Sequence, residues 1–325
     1  GLIDSHVHPV LGDFTPRQNT LGYLEGGLHG GVTTMISAGE CHTPGRPKDP
    51  AGVKALAILA HKAFKNFRPN GLKIHGGALI LEKGLQEKDF DDLAAEGVWL
   101  VGEIGLGSVK TSDEAAPMVK WAKERNMKVA MHTGGTSIPG SSTVTADMVI
   151  KTDPTVVSHI NGGHTAVSLT EIDKLIDHTQ LTLEIVQCGN PKVMDYVARK
   201  MAEKDKLDRI IIGNDSPSGT GIIPLGILRT IVQLSSVSGI PAAKAIALAS
   251  GNTARVYGLN TSMIEVGREA DLVIIDNPMG SVGTNALEAI EAGDLPAVAL
   301  VMIDGEIRIT KSRNTPPATR KIEVC

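Results

Sequence analysis

The sequence predicts an α/β fold, a (β/α)8 barrel of the TIM type with a small β-sandwich unit appended at its C-terminal end. Eight short apolar runs recur over residues 1–216, and stretches with helical spacing lie between them. Polar residues that can carry chemistry stand at the C-terminal ends of these runs. Because each pair of neighbouring parallel strands is connected through a helix, this alternation is typical of a barrel.

The eight runs begin at the first residue of the chain. They are GLIDSHVH (1–8), VTTMISAG (32–39), LKIHGGAL (72–79), VWLVGEIG (98–105), KVAMHTGG (128–135), TVVSHING (155–162), LTLEIVQC (181–188) and RIIIGNDS (209–216). Apolar spacing predicts amphipathic helices between them, for example over residues 113–126 and 191–205. Two further helical stretches follow the eighth run. We therefore expect the barrel to occupy residues 1–258.

The pattern of the chain changes near residue 259. The segments IEVGREADLVIIDNP (264–278) and AVALVMIDGEIRI (297–309) have the composition of strands linked by turns. We expect no helical crossover between them. Residues 259–325 are therefore predicted to form part of a small β-sandwich and a tail.

Composition limits the classes of function that the chain can have. Its 325 residues carry a net charge of −4, from 32 basic and 36 acidic residues that are well mixed, so no basic stripe indicates a nucleic-acid or membrane-surface partner. No apolar run approaches the length of a membrane span. The three cysteines lack the spacing of a disulfide framework, which predicts a cytoplasmic protein.

A pair of histidines in the first run indicates a metal site. His6 and His8 are two residues apart, so on a strand both side chains point to the same face. Alone, such a pair is as often two hydrogen-bonded core histidines. Other strand ends, however, also carry residues of the ligand type, namely Glu103, His132, His159 and Asp215. Imidazole and carboxylate groups that converge on one end of a barrel predict bound divalent metal ions.

The strand-six ligand has two candidates. His159 directly follows the β-branched run, whereas His164 stands five residues later on a loop. Metal ligands are placed most accurately by rigid elements, so His159 is favoured. His164 is then a candidate for binding the substrate.

These residues together resemble the amidohydrolase superfamily, which carries His-x-His on strand one, histidines on strands five and six, and aspartate on strand eight. The C-terminal EVGREADLVIID resembles the segment by which that superfamily's chain returns to its β-sandwich. The resemblance extends over essentially the whole chain. It also implies a group of strands ahead of the His-x-His motif, so we expect the natural chain to begin before residue 1.

The resemblance implies two divalent metal ions, Zn and/or Fe(II), with Mn or Co as alternatives. By analogy His6, His8 and Asp215 hold the more buried ion, and His132 and His159 hold the more exposed one. Glu103 bridges the two, where many relatives use a carboxylated lysine. This difference limits the comparison to members whose two ions are bridged by a glutamate. Relatives in the superfamily are commonly homodimers or homotetramers.

The activity implied is hydrolysis of a cyclic amide. A hydroxide that bridges the two ions attacks the carbonyl, and Asp215 passes a proton to the leaving nitrogen. The chain is most similar to the members that open the lactam of 1,4,5,6-tetrahydro-6-oxonicotinate in bacterial nicotinate fermentation, giving 2-formylglutarate and ammonia. The alternatives are a dihydroorotase-like or hydantoinase-like hydrolase, a one-metal deaminase, a metal-dependent deoxyribonuclease and a non-catalytic scaffold.

An anionic small-molecule substrate needs a cation at the mouth of the barrel. Lys73 and Lys110 are the nearest lysines by position, and both are as often simply solvated. His75, at the end of the third predicted strand, is a further candidate for binding substrate, although a histidine that only packs against its neighbours explains it at least as well.

Overall fold

The computed structural model describes residues 1–11, 20–135, 143–163, 165–217 and 221–323, with the backbone alone at residues 20–21. Eight parallel strands lie within the eight predicted runs. They are β1 (Leu2–Val7), β2 (Val32–Ser37), β3 (Lys73–His75), β4 (Leu100–Ile104), β5 (Lys128–Met131), β6 (Val156–Val157), β7 (Thr182–Val186) and β8 (Ile210–Gly213). β1, β2, β4 and β8 are buried along their whole length, as strands of a barrel covered by helices must be.

Two bridges close the strands into a ring. Strands β1 to β3 form one parallel sheet and β4 to β8 form another. Leu79 pairs with Val101 between the third and fourth segments, and Val7 pairs with Ser216 between the first and the eighth. The predicted parallel α/β barrel is thereby confirmed.

Ten α-helices accompany the barrel strands in the described part of the chain. They are α1 (Thr20–His29), α2 (Pro50–Asn66), α3 (Glu87–Ala95), α4 (Ser112–Glu124), α5 (Ala146–Thr152), α6 (Leu169–His178), α7 (Pro191–Glu203), α8 (Gly226–Ser236), α9 (Ala242–Leu248) and α10 (Gly251–Tyr257). The helices predicted over 113–126 and 191–205 correspond to α4 and α7. Thr111 and Asn190 cap them, because their side chains accept hydrogen bonds from first-turn amides. Among the helices that are described, none is long and apolar enough to cross a membrane.

A three-stranded antiparallel sheet follows the barrel. β9 (Leu272–Asp276), β10 (Ala297–Ile303) and β11 (Glu306–Ile309) lie in the order β11-β10-β9. A helix, α11 (Ala286–Ala292), connects β9 to β10, so the expectation of turn-linked strands without a helical crossover is wrong. The Asn285 side chain caps this helix and Gly293, at a φ of 94°, ends it. Its seven residues are too few to show a helical period in the sequence.

An ion cluster joins this sheet to the barrel. Lys73, the first residue of β3, contacts Asp271 at 2.7 Å, Asp304 at 2.8 Å and Glu269 at 2.5 Å. The main-chain oxygen of Asp271 accepts a hydrogen bond from the N-terminal amine of Gly1, just before β1. Lys73 therefore lies at the amino end of the strands, and the structure does not bring this substrate-binding candidate to the mouth of the barrel.

Replacing Lys73 with methionine should lower the free energy of unfolding by about 3 kcal/mol, because the fully buried Asp271 side chain would lose its cation. Specific activity at 25 °C should stay unchanged, since the cluster lies at the far end of the strands. Urea denaturation and an activity assay measure the two effects.

Lys62→Met is the matched control for the Lys73 variant. Lys62 pairs with Glu96 where both side chains are half exposed, so the loss should stay below about 1 kcal/mol. An equal loss in the two variants would contradict the structural role given to the Lys73 cluster.

Candidate metal centre

The carboxyl ends of five strands bring six side chains together. His6 lies in β1 and Glu103 in β4. The other four lie within two residues of the end of a strand, namely His8 after β1, His132 after β5, His159 after β6 and Asp215 after β8. All but His132 are buried. The six residues that the sequence pattern singled out thus converge on one point.

Four of these residues form an inner group. The Nε2 atoms of His6 and His8 are 3.2 Å apart, and they lie 3.4 Å and 3.5 Å from Glu103 Oε2. Asp215 Oδ1 lies 3.5 Å from His6 Nε2 and 3.2 Å from His8 Nε2. Ligands held 2.0–2.1 Å from a tetrahedral zinc ion stand about 3.3 Å from one another, so this spacing fits a cation of that size.

An outer group uses the other oxygen of the same glutamate. Glu103 Oε1 lies 2.7 Å from His159 Nε2 and 3.7 Å from His132 Nδ1. The 2.7 Å pair is not aligned as a hydrogen bond, and Glu103 Oε1 is a buried atom with no hydrogen-bond partner. Because such an atom is costly to bury unsatisfied, its position favours a cation between the three side chains.

The inner and outer groups therefore meet at Glu103. His6, His8 and Glu103 can offer ligand atoms within 4.8 Å of one another, and so can Glu103, His132 and His159. The two oxygens of this carboxylate each face a different pair of imidazoles. A carboxylate placed in this way has the geometry of a bridge between two cations. The residues present thus fit a metal site of the kind that the sequence indicated.

Electrostatics keep the carboxylates of the centre ionised. Burial alone would raise the pKa of Glu103, but the imidazoles of His6 and His159 outweigh it and hold that pKa well below its usual range. The pKa of Asp215 is lowered in the same way against the effect of burial, chiefly by His6. The centre therefore offers ionised carboxylate oxygens near neutral pH.

Contacts at the Nδ1 atoms of His6 and His8 fix the orientation of the two imidazole rings. His6 Nδ1 lies 2.6 Å from Glu184 Oε2, and His8 Nδ1 lies 2.9 Å from the main-chain oxygen of Gly39. Both rings therefore direct Nε2 at the inner group. Sequence analysis missed Glu184, although a charged residue inside the apolar run LTLEIV was a usable signal.

Two residues of the centre have left-handed backbone conformations. His159 has a φ of 34° and Asp215 a φ of 55°, backbone angles that residues other than glycine rarely adopt. Such conformations cost about 1–3 kcal/mol each and are concentrated at functional sites. His159 lies in a turn two residues after β6, and Asp215 lies two residues after β8.

The remaining candidates are placed differently. His164 lies outside the described residues. His75 packs edge to face on Trp99, with ring centroids 5.2 Å apart, and Trp99 directly precedes β4, at the opposite end of that strand from Glu103. The structure does not bring His75 to the centre. Lys110 is close to it, because its ammonium donates to the main-chain oxygen of Gly105, just beyond β4.

Two thiols that sequence analysis left aside also touch the centre. Cys41 Sγ lies 3.5 Å from His8 Nδ1, and Cys188 Sγ lies 3.3 Å from Asp215 Oδ2. Neither forms a disulfide.

Comparison with known proteins agrees with this geometry. The sequence profile of the amidohydrolase family matches residues 1–308. The chain belongs to the amidohydrolase family. It is 61% identical over 324 residues to the enamidase of Eubacterium barkeri, covering all of this chain and 84% of that protein. It is 25% identical to a dihydroorotase of Clostridioides difficile strain 630, covering 85% of this chain and 77% of the relative.

Solved structures show the same fold. A crystal structure of enamidase superimposes with a TM-score of 0.96 at 61% identity, covering 99% of this chain and 83% of that one. A β-aspartyl dipeptidase of Fervidobacterium islandicum AW-1 superimposes with a TM-score of 0.66 at 18% identity, covering 98% and 85%. The predicted resemblance to the amidohydrolase superfamily is confirmed. The chain is thus an amidohydrolase, an enzyme homologous to enamidase.

Proposed function

We propose that the chain is a two-metal hydrolase that opens the lactam of 1,4,5,6-tetrahydro-6-oxonicotinate. Two waters are consumed: one opens the ring, and the other releases ammonia from the resulting enamine to give 2-formylglutarate. The observation that carries the proposal is the pair of ligand groups that share Glu103. The 61% identity to enamidase, over the full length of this chain, supports the choice of substrate.

In this proposal His6, His8 and Asp215 would hold one ion and His132 and His159 would hold the other, with Glu103 offering an oxygen to each. The mixed nitrogen and oxygen ligands suit Zn and/or Fe(II), with Mn or Co as alternatives. When bound, a pair of such ions activates water as a nucleophile near neutral pH and polarises the substrate carbonyl.

Asp215 is proposed as the group that moves the proton. It accepts the proton that the attacking water gives up as the new C–O bond forms, and it donates that proton to the ring nitrogen as the C–N bond breaks. Its Oδ1 faces His6 and His8, while its Oδ2 is held by the thiol of Cys188. These contacts hold the carboxylate in one orientation.

Lys110 is proposed to bind the carboxylate of the substrate. Its ammonium lies 2.6 Å from the main-chain oxygen of Gly105. An added Cβ on Gly105 would stand 3.5 Å from the Cβ of His132, so this turn borders the outer group. Partial burial lowers the pKa of Lys110, and a substrate anion would relieve that cost of desolvation. His164 remains a second candidate contact.

Replacing Lys110 with methionine should raise KM for the carboxylated lactam about 10- to 100-fold, which corresponds to about 1.4–2.8 kcal/mol. A neutral lactam such as 2-piperidone, if it is turned over, should show little change in KM, because it offers no anion. Steady-state kinetics on both compounds measure the effect.

Lys120→Met, on the exposed side of α4, is the control and should change neither constant. A KM that rises equally for the charged and the neutral lactam would argue against an ionic contact with Lys110.

The proposed function is tested by a metal assay joined to a substrate screen. Purified protein should contain about two equivalents of metal. It should open the oxonicotinate lactam in preference to cyclic ureides and imides, and chelation should abolish this activity until zinc or ferrous iron is restored. One equivalent of metal with deamination, or ring opening of dihydroorotate alone, would replace the proposal with one of its alternatives. A metal-free, inactive protein would favour a scaffold.

The division of the chain is also proposed. Residues 1–258 are assigned to the catalytic barrel and residues 259–325 to the C-terminal portion of a β-sandwich, which the antiparallel sheet β9 to β11 supports. We further propose a cytoplasmic homodimer or homotetramer, in line with the sparse cysteines. Light scattering after gel filtration measures the oligomeric state.

A further inference from the structure

Glu184 is a buried carboxylate in the middle of β7, with 1% of its surface exposed. In the part of the chain that the structure describes, its ion-pair partner is the imidazole of His6, and neither lysine nor arginine reaches it. Burying an ionised carboxylate costs several kcal/mol unless positive charge compensates it. The Glu184 carboxylate therefore depends on the hydrogen bond that it accepts from His6 Nδ1.

The hydrogen bonds of Glu184 extend to both ligand groups. Its Oε2 lies 2.6 Å from His6 Nδ1 and 3.4 Å from the main-chain nitrogen of His159, which donates to it. Its Oε1 accepts from the hydroxyl of Ser5 at 2.5 Å, and its main-chain oxygen accepts from the amide of Ile160 at 2.7 Å. One side chain thus contacts a residue of the inner group and the backbone of a residue of the outer group.

We propose that Glu184 is a positioning residue that orients His6 and steadies the turn carrying His159, so that both ligand groups keep their spacing. The inference rests on the proposed function, because it takes His6 and His159 as metal ligands. An ionised carboxylate can only accept, so His6 Nδ1 must carry the proton and Nε2 must present its lone pair. That lone pair is directed at the atoms of the inner group.

The contact with His159 acts on the backbone. His159 has a φ of 34°, a conformation that persists only when its surroundings hold it. The two bonds from residues 159 and 160 to Glu184 tie this turn to β7. Loss of the carboxylate would affect only the bond from the His159 amide, because the bond from Ile160 goes to the main chain of residue 184, so the outer group should loosen less than the inner one.

The experiment compares Glu184→Gln with the parent protein in buffers of defined free Zn²⁺. The amide can turn either its oxygen or its NH2 group towards His6, so the ring orientation is no longer fixed. The zinc affinity of the inner group should fall about 10- to 100-fold, which is the usual effect of removing a residue that hydrogen-bonds a metal-binding histidine. The melting temperature of the metal-free variant should stay the same or rise, because a buried charge has been removed.

Asp271→Asn is the matched control. Asp271 is equally buried and paired with Lys73, but it lies at the amino end of the barrel. This variant should melt at a lower temperature and bind zinc as the parent does. Glu184→Asp, which keeps the charge on a shorter side chain, should show an intermediate loss of zinc affinity.

Parent-like binding of two zinc ions by Glu184→Gln would overturn the inference and leave the proposed function intact. A loss of affinity that only follows a lower melting temperature of the metal-free form would also overturn it. If Glu184→Gln does not fold, Ser5→Ala carries the test, because it removes the hydroxyl that holds Glu184 and should weaken zinc binding. A parent protein that binds none of zinc, ferrous iron, manganese and cobalt would instead refute the proposed function itself.

Discussion

Replacing Asp215 with asparagine should abolish most of the turnover and leave the fold and much of the bound metal in place. Turnover should fall by about 10²- to 10⁴-fold, the range usual for loss of a general acid or base. Asparagine keeps one oxygen, which can face the inner group while its NH2 group faces Cys188, and it tolerates the φ of 55° at this position. Steady-state kinetics, metal content and circular dichroism measure the three properties.

Asp153→Asn is the control for that variant. Asp153 also has a positive φ, of 54°, but it ends α5 at the surface, where it pairs with Lys123. The same chemical change on a similar backbone should leave turnover untouched. Near-normal turnover in Asp215→Asn, with metal present, would show that another group moves the proton.

Replacing Glu103 with glutamine should reduce the metal content of the purified protein from about two equivalents to one or fewer. An amide has no charge and cannot bind two cations with its two ends, and both ligand groups depend on this residue. Turnover should fall by at least about 10²- to 10³-fold, because the site can no longer activate water or polarise the carbonyl as a pair. Elemental analysis and lactam hydrolysis measure the two effects.

Glu40→Gln is the control for the Glu103 variant. Glu40 is also a buried carboxylate near the mouth, but it accepts hydrogen bonds from Ser37 and from the amide of Gly77. Its replacement should keep two equivalents of metal. If Glu103→Gln retained both ions at parent affinity, the bridging assignment would be untenable.

The barrel could be predicted because its signal repeats. Each of the eight strands lies inside a predicted run, even β6, which has only two paired residues. The connection between β9 and β10 could not be predicted in the same way. Alternation and turn residues indicated strands on both sides, and α11 is too short to interrupt that pattern.

The metal centre could be predicted where a residue type that binds metal stands at the end of a predicted strand. Histidines and acids at strand ends are visible in one sequence, and the structure brings all six together. Glu184 was missed because its importance depends on which side chain its strand places beside His6, which is a tertiary fact. Lys73 and His75 were candidates for binding substrate at the mouth of the barrel, but they contact Asp271 and Trp99 away from it. An apolar run alone does not show which of its residues reach the mouth.

The ion cluster around Lys73 and Asp271 has a consequence for engineering. It anchors the C-terminal sheet at one rim of the barrel, while every ligand-type residue of the metal centre stands at the other. The stability that this cluster contributes and the catalytic chemistry therefore depend on separate sets of positions. Directed evolution can vary the two sets of positions in separate libraries and then combine the selected substitutions. Gains in thermal stability and in turnover should then be largely additive.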